Sequence, residues 1–322
     1  RGCFATQGII GTQASPREPG TAGVMAYHAL GGELIGATGT WAWVRGGMGA
    51  LTRALASAAA EAGVGIATDT EVESVVVEGG TATGVRRSDG RVERARVVLS
   101  NADPKRTFLG LVPPGALPPQ FQRRVDDWRV DGPVAKVNLA LAELPDFRAL
   151  PGGLGPQHRA TTEIAPSIGY LEEAAADAQA GRFSARPFME VFCASATDPT
   201  LAPPGTHVVS AFTQYAPVNG WSAERALRSV RDTLGRYAPN VSDAVLASQV
   251  LGPVELEERF GLTGGDIFHG ALMPEQSFGA RFSYRTPVPG LYLCGSGASP
   301  GGCVMGAAGR NAAATVLADL RG

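Results

Sequence analysis

The sequence predicts an α/β chain in which a parallel sheet carrying a β-meander is interrupted by an inserted α+β domain. Three observations predict it. Residues 41–101 alternate strand, turn and helix signals, residues 113–285 change to long helices and alternating strands parted by Pro-rich loops, and the first texture returns at Pro289. A chain that leaves one pattern and later resumes it reads as one domain split by another.

In the first stretch, 41–44 is an apolar run read as a strand, and 45–49 (RGGMG) is a Gly-rich turn. Leu51, Leu55, Ala58 and Ala62 then recur at helical spacing, and Gly63 stands where a helix takes its C-terminal cap. Residues 64–67 begin the next strand. Residues 72–77, 82–87 and a third strand from Val92 form a meander, because Gly79-Gly80 and Asp89-Gly90 tolerate the positive φ of tight turns. The run 96–100 (RVVLS) is a short buried strand ending in a turn at 101–104 (NADP).

In the inserted part, Phe121, Val125 and Trp128 mark one face of a helix, and Ala135, Val137, Leu139 and Leu141 alternate with Lys136, Asn138 and Ala140 as a half-buried strand. Ser167 caps a helix that runs to Ala180, with Gly181 beyond it. Residues 188–194 and 207–215 read as strands, and Leu227, Val230, Leu234 and Tyr237 mark a further helix. The chain closes with a buried strand at 290–294, a Gly-rich loop at 295–306 and an Ala-rich helix at 307–320.

Composition sets the outer limits. The 322 residues carry 28 Lys+Arg against 30 Asp+Glu, so the balance leaves no electrostatic footprint for nucleic acid. With 44% hydrophobic residues there is material for buried cores, and 43 Gly with 23 Pro imply many tight turns. The longest charge-free runs are broken by Pro or Gly, unlike the ~20 apolar residues of a membrane-spanning helix; peripheral membrane contact stays open. Cysteines 3, 193, 294 and 303 form no CxxC pair, which favours a reducing compartment, the cytoplasm or the mitochondrial matrix. No charged-then-apolar leader follows Arg1, and the chain reads as a piece of a longer one.

Chemistry concentrates in the last strand, loop and helix, GLYLCGSGASPGGCVMGAAGRNAA. Its glycines remove side chains where a strand enters a helix, so backbone amides can approach a planar or anionic ligand; packing of strand on helix alone is the bland alternative. This run resembles the FAD-closing motif of the phytoene desaturase, carotenoid isomerase and amine oxidase superfamily. GGMGALTRALASAAAEAGVGI, VVLSNADPKRTF, CASATDPTLAPPG and LTGGDIFHG resemble the phytoene-dehydrogenase-like branch in the same order, from about residue 24 to the end. Ser299 and Cys303 depart from the His and Gly that the family often has there.

The resemblance implies FAD as cofactor and a partial glutathione-reductase-like FAD domain. Its implied divisions are a substrate-domain segment at 1–40, part of the FAD domain at 41–112, an inserted substrate domain at 113–285 and the FAD domain's last strand, loop and helix at 286–322. It implies that Val72 contacts the adenine through its backbone and that the Gly46-Gly47 turn lies near the flavin. Gly295, Ser296, Val304 and Met305, with Gly301 and Gly302 in the same loop, would line the flavin end. No G-x-G-x-x-G turn followed ~20 residues later by an acidic residue is present, and that device holds the FAD pyrophosphate and ribose in such enzymes. The expectation is therefore the C-terminal part of a flavoenzyme, holding FAD weakly or not at all by itself. In the intact protein it would move a hydride between an apolar substrate and flavin, or assist an isomerisation. The rival is a non-catalytic binding or assembly module without flavin. An incomplete sheet further predicts self-association or a companion N-terminal chain.

Catalytic residues are not legible. No spacing suggests a metal site. His269, between glycines in GGDIFHG, reads first as a satisfied structural histidine, Cys303 as a buried inert thiol and Asp198 as a turn-former before Pro199.

Overall fold

The computed structural model describes residues 1–29 and 42–321. Among them, ten strands run in chain order: β1 Val72–Glu78, β2 Thr81–Arg87, β3 Val92–Arg94, β4 Val98–Ser100, β5 Ala135–Leu141, β6 Thr162–Ile164, β7 Phe188–Cys193, β8 His207–Gln214, β9 Val245–Leu251 and β10 Leu291–Leu293. The chain divides into two compact units, one of residues 1–66 and 133–255, the other of residues 67–132 and 256–322. The later unit thus encloses 133–255 in sequence, while residues 41–66, grouped with the first domain by their strand–turn–helix pattern, cluster with the earlier unit.

The unit built from 67–132 and 256–322 holds the antiparallel meander β1-β2-β3 and a parallel pair, β4 beside β10. The meander's turns are as the sequence predicts: Gly79 and Gly80 have φ of 57° and 79°, and Gly90 has 84°. Its core gathers Val75, Ala82, Phe108, Val125, Trp128, Phe282, Leu291 and Leu293, all nearly inaccessible to solvent. Phe108, Phe121, Trp128 and Phe282 pack as tilted or edge-on rings with centroids 4.7–5.9 Å apart. The expected helix face through Phe121, Val125 and Trp128 is real, though the helix Pro119–Asp126 ends before Trp128.

The other unit is built on one antiparallel sheet of order β6-β7-β8-β5-β9. β5 alternates as predicted, with Val137, Leu139 and Leu141 buried and Lys136 exposed. Ser167 Oγ accepts the Tyr170 amide at 3.1 Å and caps the helix Ile168–Gln179, and Ser222 does the same for Ala223–Tyr237 through the Arg225 amide at 3.2 Å.

Four sequence expectations are corrected. Residue 41 lies outside the described residues, and 42–44 form no strand. Residues 64–67 form none either: no strand pairs with them among the described residues, and Val64 and Ile66 are 53% and 56% exposed. An apolar run becomes a strand only where a neighbour takes its N–H and C=O groups. The strand expected over 96–100 contracts to β4, which has β10 on one side and leaves Leu99 40% exposed. The helix Met48–Glu61 forms and ends at Gly63 (φ 83°), yet buries none of its residues; Leu55 is 63% exposed. Strands β6 and β9, which the sequence reading missed, owe their state to pairing with β7 and β5.

Candidate functional site

β4 and β10 run parallel and both end in loops, so the 101–104 turn and the Gly-rich loop emerge side by side. Their packing explains two glycines. A Cβ on Gly295 would lie 2.6 Å from Asn101 O, and one on Gly297 would lie 2.5 Å from Pro104 Cδ. At these two positions the packing alternative accounts for the residue. Gly302 is buried as well: its Cβ would stand 3.1 Å from Phe268 Cδ1 and 3.3 Å from Ser296 Oγ.

Beyond Gly302 the loop changes character. Gly301, Cys303, Val304 and Gly306 have φ of 109°, 78°, 54° and 66°. For Cys303, and still more for β-branched Val304, the left-handed region is sterically costly. Val304 is 75% exposed and Met305 39%. This turn feeds the helix Ala307–Asp319, whose N-cap is Gly306, so no side chain caps its first amides. Cys303 therefore occupies a position whose backbone suits glycine.

Val72 begins β1 in the same unit and lines an open cleft of about 710 Å³ with Glu71, Glu73, Lys105 and Arg106. A neighbouring cleft of about 760 Å³ is lined by Asp69, Glu71, Ser88, Asn101, Asp103, Arg106, Arg259 and His269. His269 links this cleft to the Gly-rich loop, since the Cβ position of Gly297 is 3.6 Å from His269 Cβ. Burial holds its imidazole below the usual histidine pKa, against the opposing charge of Asp103. The adjoining Asp266, fully enclosed, is pushed up to about 6 by burial, against the amides of Phe268, Gly270 and Gly132. Burial likewise raises the Cys294 thiol, so it remains protonated at neutral pH.

Gly46 and Gly47 belong to the other unit, with φ of 80° and 75°. Asp198 does more there than shape its own turn: Oδ2 accepts the Gly46 amide at 2.6 Å, while Oδ1 accepts the Thr200 amide at 3.1 Å and Thr200 Oγ1 at 2.6 Å. The Gly46 amide first, then Thr200, holds this carboxyl below the usual aspartate range. The partner lies 152 residues away, so no local motif in the sequence could announce it. Among the described residues no cluster of His, Cys, Asp or Glu could hold a metal ion, and no helix is long and apolar enough to cross a membrane.

Solved structures share this architecture. An oxidoreductase from Methanosarcina mazei superposes with a TM-score of 0.63 at 20% identity, over 98% of this chain and 64% of that one. Cyclohexylamine oxidase from Brevibacterium oxydans IH-35A gives 0.60 at 16% identity, over 99% and 64%. The chain shares the mixed α/β fold of these two proteins. The flavin containing amine oxidoreductase family matches residues 18–317, and the chain belongs to that family. It is 44% identical over 337 residues to pyridine nucleotide-disulfide oxidoreductase domain-containing protein 2 of Mus musculus, covering 99% of this chain and 58% of that protein. It is 29% identical over 290 residues to the phytoene desaturase (neurosporene-forming) of Cereibacter sphaeroides, covering 85% and 52%. The chain thus spans a little over half the length of these relatives.

Proposed function

We propose that the chain is the C-terminal part of an FAD-dependent oxidoreductase that moves a hydride between an apolar substrate and flavin, or assists an isomerisation without net redox change. The finer fold reading belongs to the same proposal: a glutathione-reductase-like FAD domain at 41–112 and 286–322, with substrate-domain segments at 1–40 and 113–285. The observation that supports it is the turn at 303–306. Two residues with side chains hold left-handed backbone there, next to an exposed Val304 and Met305 and a helix start without a side-chain cap. Such strain costs ~1–3 kcal/mol per residue and collects at ligand clamps.

The residues fit the cofactor. The amides of the first turn of the helix Ala307–Asp319, which no side chain caps, suit the acceptor edge of a flat ring system. Ser296, Gly301, Gly302, Val304 and Met305, with the backbone of Gly295, whose missing side chain the packing on Asn101 already explains, would hold the flavin end, Val72 the adenine, and the Gly46-Gly47 turn keeps the role the resemblance implies for it. FAD, when bound, supplies the hydride chemistry. The chain's own residues orient and enclose. Arg281 fixes the loop by donating to Ser296 O at 2.7 Å, and Phe268 packs beneath Gly302. The protonated Cys294 thiol adds no charge beside the loop. The similarity to phytoene desaturase supports an apolar substrate.

Flavin absorbance after desalting tests this reading. A product extended to the full length of the relatives is expected to be yellow, while this chain holds little flavin. Gly302→Val in the extended product should expel flavin while keeping its secondary structure, because the branched side chain would meet Phe268 and Ser296. A colourless extended product, or full flavin content in Gly302→Val, refutes the assignment.

A further inference from the structure

His269 is held in a conformation that its own side chain disfavours. Its φ is +58°, a left-handed value that few non-glycine residues take. Surrounding groups enforce it. Arg281, only 3% exposed, donates Nη1 to Phe268 O at 3.0 Å and Nη2 to Gly270 O at 2.9 Å, so it grips the backbone on both sides of the histidine. Trp128 Nε1 donates to His269 O at 2.9 Å, and Asp266 accepts the Phe268 amide at 2.9 Å. Backbone strain that is so over-determined occurs at ligand sites.

His269 lines the 760 Å³ cleft. Nδ1 is buried without a hydrogen-bond partner among the described residues. Burial favours the neutral ring, and a bare buried lone pair is better tolerated than a bare buried N–H. The proton is therefore assigned to Nε2. On the same cleft the Arg106 guanidinium lies over Gly261, where φ is +68° and an added Cβ would come within 3.0 Å of Arg106 Cζ. Gly261 makes room for that side chain. Arg106 has no ion-pair partner among the described residues. Asp103, three residues before it, is occupied: Oδ1 accepts the Arg106 amide at 3.0 Å, and Oδ2 accepts the Thr263 amide at 3.2 Å and Thr263 Oγ1 at 2.7 Å. The other carboxylates on the cleft, Asp69 and Glu71, are exposed to water.

We propose that His269 and Arg106, which line one cleft, form a binding subsite for a phosphate ester, His269 donating Nε2–H and Arg106, exposed on the cleft and seated over Gly261, supplying positive charge. A planar guanidinium beside a neutral N–H donor matches phosphate oxygens. The proposal goes beyond the flavin reading, because the same oxygens are carried by the diphosphate of a dinucleotide and by a free phosphate ester.

NMR of the histidine ring signals of the 322-residue chain tests it, with inorganic pyrophosphate, ADP and FAD as separate probes at millimolar concentration. Pyrophosphate should shift the His269 signal and leave the signals of His28, His158 and His207 in place. Arg106→Gln should weaken pyrophosphate about tenfold or more, as expected for a lost charge-assisted hydrogen bond. His269→Gln, which keeps an N–H donor, should weaken it less than His269→Ala. Tighter binding of ADP and FAD with the same His269 shift assigns the phosphate to the cofactor; binding of pyrophosphate alone assigns it to a free phosphate ester. An unmoved His269 signal with all three probes, or unchanged affinity in Arg106→Gln and His269→Ala, overturns the subsite. Flavin content of the extended product is read separately, so the cofactor reading can stand while the subsite falls. Should His269→Ala fail to fold, the titration of the unaltered chain and Arg106→Gln decide.

Discussion

Glu163 on β6 and Glu190 on β7 stand directly opposite one another in antiparallel register, where two like charges weaken a strand pair. The Glu190 carboxyl is pushed up to about 7, by burial first and then by the charge of Glu163, with the Gln7 amide opposing. Gln7 Nε2 donates to Glu190 Oε1 at 3.4 Å and Thr6 Oγ1 to Glu163 Oε2 at 3.3 Å, so the pair also anchors the first residues of the chain. The Cys3 thiol, raised by its hydrogen bond to Glu163, faces the same carboxylate. Between the ordinary glutamate value and about 7, the folded chain keeps a proton that the unfolded chain has lost. The folded state then binds more protons, so stability falls as pH rises through that window and levels off above it. A shift from 4.5 to about 7 corresponds to roughly 3 kcal/mol, and partial exposure of the pair reduces this to roughly 2 kcal/mol. Glu190→Gln abolishes the ionisation and keeps the side-chain shape. Urea unfolding at a series of pH values should show the stability gap between Glu190→Gln and the unaltered chain widening in favour of the variant by that amount from about pH 5 to pH 8. Amide exchange at residues 6–12 should accelerate with pH, beyond its intrinsic dependence, in the unaltered chain alone. Parallel pH–stability curves for the two proteins would refute the reasoning.

Cys303→Gly should raise stability by about 1 kcal/mol, since glycine removes the left-handed strain at φ 78° and gives back part of that gain as unfolded-chain entropy; a lower melting temperature would contradict it. Gly270→Ala should destabilise by about 3 kcal/mol or more, because its Cβ would come within 2.3 Å of Trp128 Nε1 and drive the indole off His269 O. Tryptophan fluorescence during denaturation reads that loss, and an unchanged midpoint would count against the packing described. Asp198→Ala should speed amide exchange at Gly46 and fray the start of the Met48–Glu61 helix, with Asp198→Asn intermediate; equal exchange in all three would show that the 2.6 Å contact does not hold the turn.

Much of the local structure was legible because local rules decide it. The meander follows from glycines at 79, 80 and 90, the caps from Ser167 and Gly63, and β5 from strict alternation, each an effect that acts within a few residues. Membership of a flavin containing amine oxidoreductase family was equally legible, since the quoted motifs stand in one order along the chain. The tertiary structure decided what depends on a distant partner. The apolar run at 64–67 has strand composition and no strand, because pairing decides whether a β-prone segment is ordered. Gly295 and Gly297 look like ligand-cradling glycines in sequence, and the fold shows Asn101 and Pro104 pressed against them. His269 reads from sequence as an ordinary structural histidine; only the fold shows Arg281, Trp128 and Asp266, up to 141 residues away, holding its backbone in a left-handed turn on a cleft that Arg106 also lines. Spacing along a chain reports periodicity, which is set by the backbone's own geometry. It carries no information on which side chains a closed loop brings within 3 Å, because that depends on how the whole unit packs.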